Sequence, residues 1–240
     1  MEAVDRVPIT FAASVPEVLR ADVLAAPHVR RWLEQAAGRF DLRGVAVRDV
    51  VFFGRRVGFV LVEADAWHEG RKVPGAALLR GDAVSVLVVL HCPGHAERTI
   101  LTCEPRLPVA CPDLLALPAG MVDGGELVST ALRELGEEVG TDLVVPADRL
   151  VALATVWPSP GGCDEAVTLY SVDLEIGEAA VRALDGRRAG NAEEHESIRL
   201  RVVALDDLPR IGRTDAKTLL SYHLYRARAG GAETGVATGC

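Results

Sequence analysis

Aromatic residues are scarce in this 240-residue chain, at 5% of the sequence, and basic residues are in no surplus. The 26 lysines and arginines are outnumbered by 34 aspartates and glutamates, so the formal net charge at pH 7 is -8. General nucleic-acid binders and basic membrane-surface proteins need an excess of Lys and Arg, and both classes are therefore excluded. An anionic substrate would require a local reversal of this charge, by a metal ion or by arginines.

Long hydrophobic runs are also missing. The most apolar run, Val84–Leu90, is far too short to cross a bilayer. The first residues, Met1–Arg6, carry two acids and lead to no apolar core, which does not fit a signal peptide. The five cysteines form no CxxC pair and no metal-ligand spacing. We therefore expect a cytoplasmic protein with reduced thiols and no membrane partner.

The remaining composition is that of a globular protein, with 49% hydrophobic and 25% charged residues. Residues 1–40 look helical, whereas Leu42–Glu63, rich in Val and Phe and interrupted by glycines, favours two or three strands. A turn follows at Lys72–Gly75. We expect an N-terminal accessory region at 1–75, the main domain at 76–228, and a flexible Gly-rich tail at 229–240.

The main domain alternates predicted strands with a few helices, which indicates a mixed α/β sandwich. Two of its strands should form a hairpin around Pro93-Gly94. The predicted strands are Ala83–His91, Thr99–Thr102, Leu150–Val156, Ala166–Leu174 and Ile198–Val203, and the predicted helices are Gly125–Val139, Glu178–Leu184 and Asp215–Arg228.

The segment Leu117–Gly140, LPAGMVDGGELVSTALRELGEEVG, carries a Gly-rich turn that leads directly into a helix. On that helix Glu134, Glu137 and Glu138 lie within an arc of roughly 100°. Carboxylates crowded on one side repel each other and destabilise a helix, and a hard divalent cation such as Mg²⁺ would relieve the repulsion. A backbone carbonyl of the turn, at Ala119, could reach the same ion. The alternative is a solvated acidic face.

The pattern G-x5-E-x6-RELxEExG, from Gly120 to Gly140, resembles the Nudix box of the Nudix hydrolases. Six residues separate Glu126 from Arg133, where the family usually has seven. The Arg-Glu-x-x-Glu-Glu core is intact, and the role of Glu126 is left open.

This resemblance implies a Nudix-type α/β/α sandwich with a mixed sheet, preceded by accessory helices and strands. It further implies that Glu134, Glu137, Glu138 and the Ala119 carbonyl hold Mg²⁺, with Mn²⁺ as an alternative. Arg133 would hold the carboxylates in place by ion pairing.

Two further segments resemble plant-type ADP-sugar pyrophosphatases. They are WPSPGGCDE at Trp157–Glu165 and TDAK at Thr214–Lys217. A Pro-Gly-Gly turn can expose backbone N–H groups to a phosphate, although an ordinary rigid turn is the alternative interpretation. A guanidinium suits a pyrophosphate oxygen. The substrate-binding residues that the resemblance implies are Arg106, Ser159, Gly161 and Gly162.

The polar loop before the strand at Ile198 contains the sequence EEHES. In ADP-ribose pyrophosphatases a glutamate of a similar loop acts as general base, which implies Glu196 as first choice and Glu194 as second. His195 is interpreted as a bystander, and a solvated acidic loop is the alternative. The catalytic residues implied by the resemblance are thus Glu196, Glu194, Glu138 and Arg133.

The expected function is Mg²⁺-dependent hydrolysis of the pyrophosphate bond of ADP-ribose or ADP-glucose to AMP and a sugar phosphate. The alternatives are a Nudix hydrolase for GDP-mannose, NADH or a nucleoside triphosphate, or a non-catalytic nucleotide-sugar-binding regulator. The resemblance also implies a homodimer to which the N-terminal region contributes. The aromatic candidates for adenine stacking, all expected in the core instead, are Trp157, Phe52, Phe53 and Phe59.

Overall fold

A computed structural model describes residues 6–122, 126–140, 145–190, 197–211 and 215–229. The chain forms two compact units. The first comprises Met1–Asp82 with Trp157–Ala166, and the second comprises Ala83–Val156 with Val167–Cys240. The division at residue 75 and the dimerisation role of the N-terminal region stay predictions, and the tail beyond residue 229 lies outside the described residues.

The first unit is a sheet covered on one face by two helices. The sheet has the order β1-β2-β3-β4, with β5 also paired to β3. The helix α2 begins at Pro27, whose fixed φ and missing N–H suit a first helical turn. The elements are β1 (Ile9–Phe11), α1 (Arg20–Ala25), α2 (Pro27–Arg39), β2 (Asp41–Phe53), β3 (Arg56–His68), β4 (Arg71–Lys72) and β5 (Ala76–Leu79).

The expectation that residues 1–40 are all helical is wrong at Ile9–Phe11. These residues form the strand β1, which pairs in parallel with Val45–Val47 of β2. Only this pairing with a distant segment satisfies their backbone groups, and a short run of three residues carries no periodicity of its own. The region expected to hold two or three strands forms one long hairpin of β2 and β3, paired from Asp41–Trp67 to Phe53–Arg56.

Two aromatic residues expected in the core are exposed, and that expectation is wrong for them. Trp157 is 52% exposed and Phe53 is 38% exposed. Phe53 ends β2 directly before the hairpin turn at Gly54. Phe52 packs against the core of the first unit, and Phe59 contacts Phe53 edge to face with ring centroids 5.0 Å apart.

The second unit contains a mixed sheet of eight strands. The strands are β6 (Ala83–His91), β7 (Arg98–Arg106), β8 (Cys111–Ala116), β9 (Ala119–Met121), β10 (Val151–Val156), β11 (Val167–Glu175), β12 (Arg188–Ala189) and β13 (Ile198–Ala204). Their order in the sheet is β10-β11-β6-β7-β13-β12, with β9 paired to β6 and β8 paired to β7. The helices are α3 (Leu127–Val139), α4 (Glu178–Leu184), α5 (Leu208–Ile211) and α6 (Ala216–Ala229).

The central strands β6 and β7 separate along their length, which leaves room for β9 beside β6. The strands β6 and β7 pair only at Val89 with Thr99 and at Leu90 with Arg98, and then diverge. The short strand β9 takes the free edge at the other end of β6, opposite Ala83–Ser85. β9 therefore lies at the amino end of the central strand, directly before the segment that leads into α3.

Helices cover both faces of the sheet. On one face, alternate residues of β6 such as Val86 and Val88 pack against Leu135 and Val139 of α3. On the other face, Leu87 and Val89 pack in a cluster with Leu205, Leu208 and the tyrosines of α6. β6 is buried on both faces, and its residues form an apolar run that only Ser85 interrupts between Ala83 and Leu90. The expected α/β/α sandwich with a mixed sheet is confirmed.

The predicted elements of this unit are all present. The strand Ala83–His91 and the helix Glu178–Leu184 have the predicted bounds, and the others have shifted ends. The helix expected at Gly125–Val139 spans Leu127–Val139, and the final helix spans Ala216–Ala229. The short strands β8, β9 and β12 were not predicted. Among the described residues, no helix is long and apolar enough to span a membrane.

Candidate active site

The carboxylate side chains of α3 lie next to the face of the helix that packs into the core. Ala131, Leu135 and Val139 pack into the core against β6, and this apolar stripe fixes how the helix is rotated. Glu138 lies beside the stripe and is only 4% exposed. Burial of an ionised carboxylate is costly unless it is paired or hydrogen-bonded, so Glu138 must be held by specific partners.

The strand β9 provides one such partner. The Ala119 N–H donates a hydrogen bond to Glu138 Oε2 over 3.1 Å. This bond joins β9 to the last turn of α3 and fixes the direction of the Glu138 carboxylate. Ala119 was expected to contribute its carbonyl, and β9 places this residue next to Glu138.

Glu134 lies against the next residue of the same strand. A Cβ atom on Gly120 would overlap the carboxyl carbon and both carboxyl oxygens of Glu134. The glycine at this position is therefore required by close approach, since only a residue without a side chain leaves room for the carboxylate. The side chain of Glu134 is 15% exposed, so both Glu134 and Glu138 are positioned against β9.

Arg133 bridges two glutamates of the helix. Its guanidinium donates to Glu134 Oε1 over 2.6 Å and to Glu137 Oε2 over 2.9 Å. These ion pairs reduce the repulsion among the carboxylates and hold two of them in one orientation. The arrangement agrees with the ion-pairing role expected for Arg133, and its part in catalysis stays a prediction.

Glu126 occupies the N-cap position of α3. Its backbone carbonyl accepts hydrogen bonds from the Thr130 N–H over 3.0 Å and from the Ser129 hydroxyl over 2.9 Å. The Glu126 side chain is exposed and makes no capping hydrogen bond. The helix of the box therefore starts directly after this glutamate.

The last glycine of the box ends the helix against an arginine that the sequence did not single out. Gly140 has a φ of 106°, which favours glycine, and a Cβ atom there would overlap the guanidinium of Arg187. A cation at this place interacts favourably with the carboxyl end of α3. Arg187 lies 47 positions beyond Gly140 (187 − 140), so no local pattern could reveal this contact.

The donor set suits a hard divalent cation. Glu134 and Glu138 are brought to one strand, Glu137 is tied to Glu134 through Arg133, and all three offer carboxylate oxygens. Mg²⁺ and Mn²⁺ prefer such oxygen ligands. The absence of a side chain at Gly120 leaves room for the Glu134 carboxylate against β9. The residues thus fit the metal that the box implies.

Arg106 ends β7 in the second unit. Its side chain is half exposed and forms an ion pair with Glu104, with 2.6 Å between Nη2 and Oε1. Residues two positions apart on a strand point to the same face, which allows this ion pair. The pairing of β7 with β8 shifts register between the two residues. Glu104 thus shares the guanidinium that was expected to contact the substrate.

The WPSPGG segment belongs to the first unit, where it is fastened to the end of β5. The Leu78 N–H donates to the Gly162 carbonyl over 2.9 Å, and Asp164 Oδ1 accepts the Arg80 N–H over 2.7 Å. The Gly162 N–H donates within the turn to the Ser159 carbonyl over 3.2 Å. Ser159, Gly161 and Gly162 are exposed. Their contact with substrate stays a prediction.

Cys163 follows this turn and is partly buried. Burial raises the pKa of its thiol, so the group is protonated at neutral pH and does not act as a thiolate nucleophile. The four described cysteines, Cys92, Cys103, Cys111 and Cys163, are free thiols.

Glu194 and Glu196 lie outside the described residues, as do His195 and Thr214. The strands on either side are described: β12 pairs antiparallel with β13, with Ala189 opposite Ile198. The assignment of either glutamate as general base stays a prediction.

A second group of potential metal ligands is formed by Cys92, His95 and Glu178. Arg98 donates to Glu178 and to His95 Nδ1, each over 2.9 Å, and Arg182 donates to Glu178 over 3.2 Å. Burial raises the pKa of the Cys92 thiol, which keeps it protonated at neutral pH. Two guanidiniums thus already neutralise this carboxylate, and we interpret the group as an ion-pair network.

Comparison with known proteins decides the family. A family model described as the NUDIX domain matches residues 80–222, which is more than half of the chain. The chain belongs to the Nudix family. Nudix hydrolase 14, chloroplastic, of Arabidopsis thaliana is 34% identical over 223 residues, covering 85% of this chain and 71% of that protein. The ADP-ribose pyrophosphatase of Haemophilus influenzae is 30% identical over 174 residues, covering 69% of this chain and 68% of that protein.

Solved structures agree with the Nudix fold. The crystal structure of an ADP compounds hydrolase superposes with a TM-score of 0.52 at 17% identity, covering 80% of this chain and 96% of that one. As a Nudix hydrolase, the protein is an enzyme that acts on nucleoside diphosphate derivatives, and its family generally uses divalent metal ions. The Nudix box is the segment Gly120–Gly140, which brings Glu134 and Glu138 to β9.

Replacing Gly120 by alanine should displace the Glu134 carboxylate and leave the fold intact. The added methyl group collides with the end of a flexible side chain, which can swing away. We expect Mn²⁺ affinity, measured by electron paramagnetic resonance, to fall about tenfold, while the melting temperature stays within a few degrees. The matched control is Gly136→Ala on α3, the helix that carries Glu134, where a Cβ atom meets nothing within 4 Å. Unchanged Mn²⁺ affinity in Gly120→Ala would contradict the assigned role of Glu134.

Proposed function

We propose that this Nudix protein hydrolyses the pyrophosphate bond of ADP-sugars, ADP-ribose or ADP-glucose, to AMP and a sugar phosphate, with Mg²⁺ as its metal. The observation that carries the proposal is the seating of Glu134 and Glu138 of α3 against Gly120 and Ala119 of β9. The choice of ADP-sugar rests on the WPSPGG segment and on the similarity to a protein named ADP-ribose pyrophosphatase.

In this proposal Glu134, Glu137, Glu138 and the Ala119 carbonyl hold the metal, with Mn²⁺ as an alternative to Mg²⁺. When bound, the metal neutralises pyrophosphate oxygens and polarises a phosphorus atom. The net charge of -8 then no longer opposes an anionic substrate. Without the ion, the same carboxylates would repel the pyrophosphate.

The residues of the chain bind the substrate and remove a proton from water. Arg106 donates to a pyrophosphate oxygen, and Glu104 holds its guanidinium at 2.6 Å until substrate arrives. Glu196, or Glu194 as second choice, accepts the proton of the attacking water. Arg133 keeps Glu134 and Glu137 in place through its two ion pairs. Ser159, Gly161 and Gly162 contribute further substrate contacts.

A Nudix hydrolase for another nucleotide is the first alternative, and GDP-mannose, NADH and nucleoside triphosphates are its candidate substrates. The WPSPGG segment favours ADP-sugars over these. A non-catalytic nucleotide-sugar-binding regulator is the second alternative. The retained set of three box glutamates, two of them seated on β9, favours an enzyme.

The proposal includes a homodimer formed through the N-terminal region, in the cytoplasm. Exposed apolar side chains on the β2–β3 hairpin, Val51, Phe53 and Leu61, support a partner surface there. The free described cysteines fit a reducing compartment.

One experiment tests substrate and assembly on the same sample. The protein is incubated with Mg²⁺ and, separately, with ADP-ribose, ADP-glucose, GDP-mannose, NADH and dNTPs, while its mass is measured by light scattering. We expect the highest kcat/KM with an ADP-sugar, with AMP as product, and a mass of two chains. A clear preference for GDP-mannose, NADH or a dNTP would establish the first alternative, and binding without hydrolysis would establish the regulator. A mass of one chain would refute the dimer alone.

A further inference from the structure

The start of the final helix holds a buried hydrogen-bond cluster that the proposed reaction does not use. Thr218 of α6 is fully buried, and its hydroxyl donates to Asp215 Oδ2 over 2.6 Å. The same hydroxyl oxygen accepts the Leu117 N–H over 3.1 Å. Thr218 therefore connects the cap of α6 to a backbone group 101 positions earlier in the chain.

Asp215 fixes the direction of this hydroxyl. Its Oδ2 also accepts the Thr218 N–H over 3.0 Å, which is a helix N-cap, and its Oδ1 accepts Lys217 Nζ over 2.8 Å. The carboxylate is 7% exposed, and both of its oxygens are bonded. Because the Thr218 proton points to Asp215, a lone pair of the hydroxyl is left to face Leu117.

The segment that begins at Leu117 carries the proposed metal site. The Pro118 carbonyl accepts the Val86 N–H over 2.9 Å, the Ala119 N–H donates to Glu138, and Gly120 faces the Glu134 carboxylate. Pro118 has no N–H of its own. The Leu117 N–H is therefore the last backbone donor before the residues that orient the carboxylates, and it is bonded to Thr218.

We propose that Thr218, oriented by Asp215, is a positioning residue for the metal-binding carboxylates Glu134 and Glu138. This inference rests on the metal site of the proposed function. Thr218 itself is proposed to contact neither the substrate nor the metal. The same contacts connect the TDAK segment to the box, which is far away in sequence. Asp215 of TDAK caps α6, and Thr218 of α6 binds the Leu117 N–H just before β9.

Loss of the hydroxyl leaves a buried N–H without an acceptor. The backbone at Leu117 then shifts to find another partner, because an unsatisfied buried donor is unfavourable. Residues Ala119 and Gly120 lie two and three positions further on, so that they move with it. Mg²⁺ and Mn²⁺ require defined ligand positions, and changes to residues that orient metal ligands typically weaken affinity by about 10–100-fold.

The test compares three variants of the full chain. Thr218→Val removes the hydroxyl at nearly constant shape, Thr218→Ser keeps it, and Ser221→Ala removes another fully buried hydroxyl of α6. The Ser221 hydroxyl has no hydrogen-bond partner among the residues that the structure describes, which makes it a matched control. Mn²⁺ affinity is measured by electron paramagnetic resonance without substrate, and the melting temperature is measured in parallel.

We expect Thr218→Val to weaken Mn²⁺ binding about tenfold or more, with Thr218→Ser and Ser221→Ala close to the unmodified protein. If the valine variant does not fold, Thr218→Ala serves in its place with the same expectation. Unchanged Mn²⁺ affinity, or an equal weakening in Ser221→Ala, overturns the inference. This binding measurement contains no substrate, so its result does not depend on the ADP-sugar assignment. If that assignment is wrong, the unmodified protein still binds Mn²⁺ but does not hydrolyse ADP-sugars in the separate substrate assay.

Discussion

Replacing Glu138 by glutamine should lower kcat for ADP-ribose hydrolysis about a thousandfold or more, a loss of about 4 kcal/mol of transition-state stabilisation. The glutamine keeps the shape of the side chain and can still accept the Ala119 N–H, so the fold should be retained. The amide lacks the negative charge that the metal requires. Because Glu138 is 4% exposed, removing a buried charge should leave the melting temperature unchanged or raise it.

The matched control for this variant is Glu175→Gln. Glu175 is an exposed glutamate at the end of β11, and its amide variant should hydrolyse ADP-ribose at the normal rate. A Glu138→Gln protein that turns over near-normally with Mg²⁺ would rule out the metal site proposed for α3. A loss of activity accompanied by unfolding would be visible in the melting curve.

Replacing Glu196 by glutamine should lower kcat by about 10²–10⁴-fold, which is the contribution typical of a general base. Mn²⁺ binding should be retained, since this glutamate is proposed to act on water and not on the metal. The acid limb of the kcat profile against pH should flatten, because the group that loses its proton there is gone. Glu194→Gln, the neighbouring control, should retain kcat within about tenfold.

These two variants also discriminate between the candidate bases. A larger kcat loss in Glu194→Gln than in Glu196→Gln would assign the base to Glu194. Normal activity in both variants would contradict a base in this loop. Loss of Mn²⁺ affinity in either one would assign that glutamate to the metal instead.

Local patterns in the sequence predicted most of the helices and strands of the second unit. A Gly-rich turn followed by an apolar arc and an acidic arc predicted the helix that the structure places at Leu127–Val139. The apolar run at Val84–Leu90 predicted the buried central strand β6. Both signals are local: a helical period with one apolar face for α3, and a short apolar run bounded by turns for β6. The helix α3 starts two residues later than predicted, because Glu126 provides its N-cap.

Features that depend on distant partners could not be predicted. The three-residue strands β1 and β9 exist only because Val45–Val47 and Ala83–Ser85 pair with them. The WPSPGG segment follows β10 of the second unit in sequence, yet it belongs to the first unit. Cys163, directly after it, forms a β-bridge with Leu78 of that unit. A chain pattern of a few residues contains no signal for such pairings.

The candidate site shows the same division. The identities of Glu134, Glu137, Glu138 and Arg133 follow from the box, because helix geometry relates residues one turn apart. The seating of Glu134 on Gly120 and the hold of Thr218 on Leu117 depend on contacts across the fold. A resemblance names the residues of the box, whereas only the fold shows what orients them.

The central claim is that the acidic face of α3 becomes a pyrophosphate-cleaving site when it holds a divalent metal. It is tested most directly by measuring AMP release from ADP-ribose with Mg²⁺, after removal of the metal with a chelator, and after Mg²⁺ is restored. The account predicts AMP in the first and third measurements and none in the second. An equal rate of AMP release after complete removal of the metal, or no AMP with Mg²⁺, would contradict it.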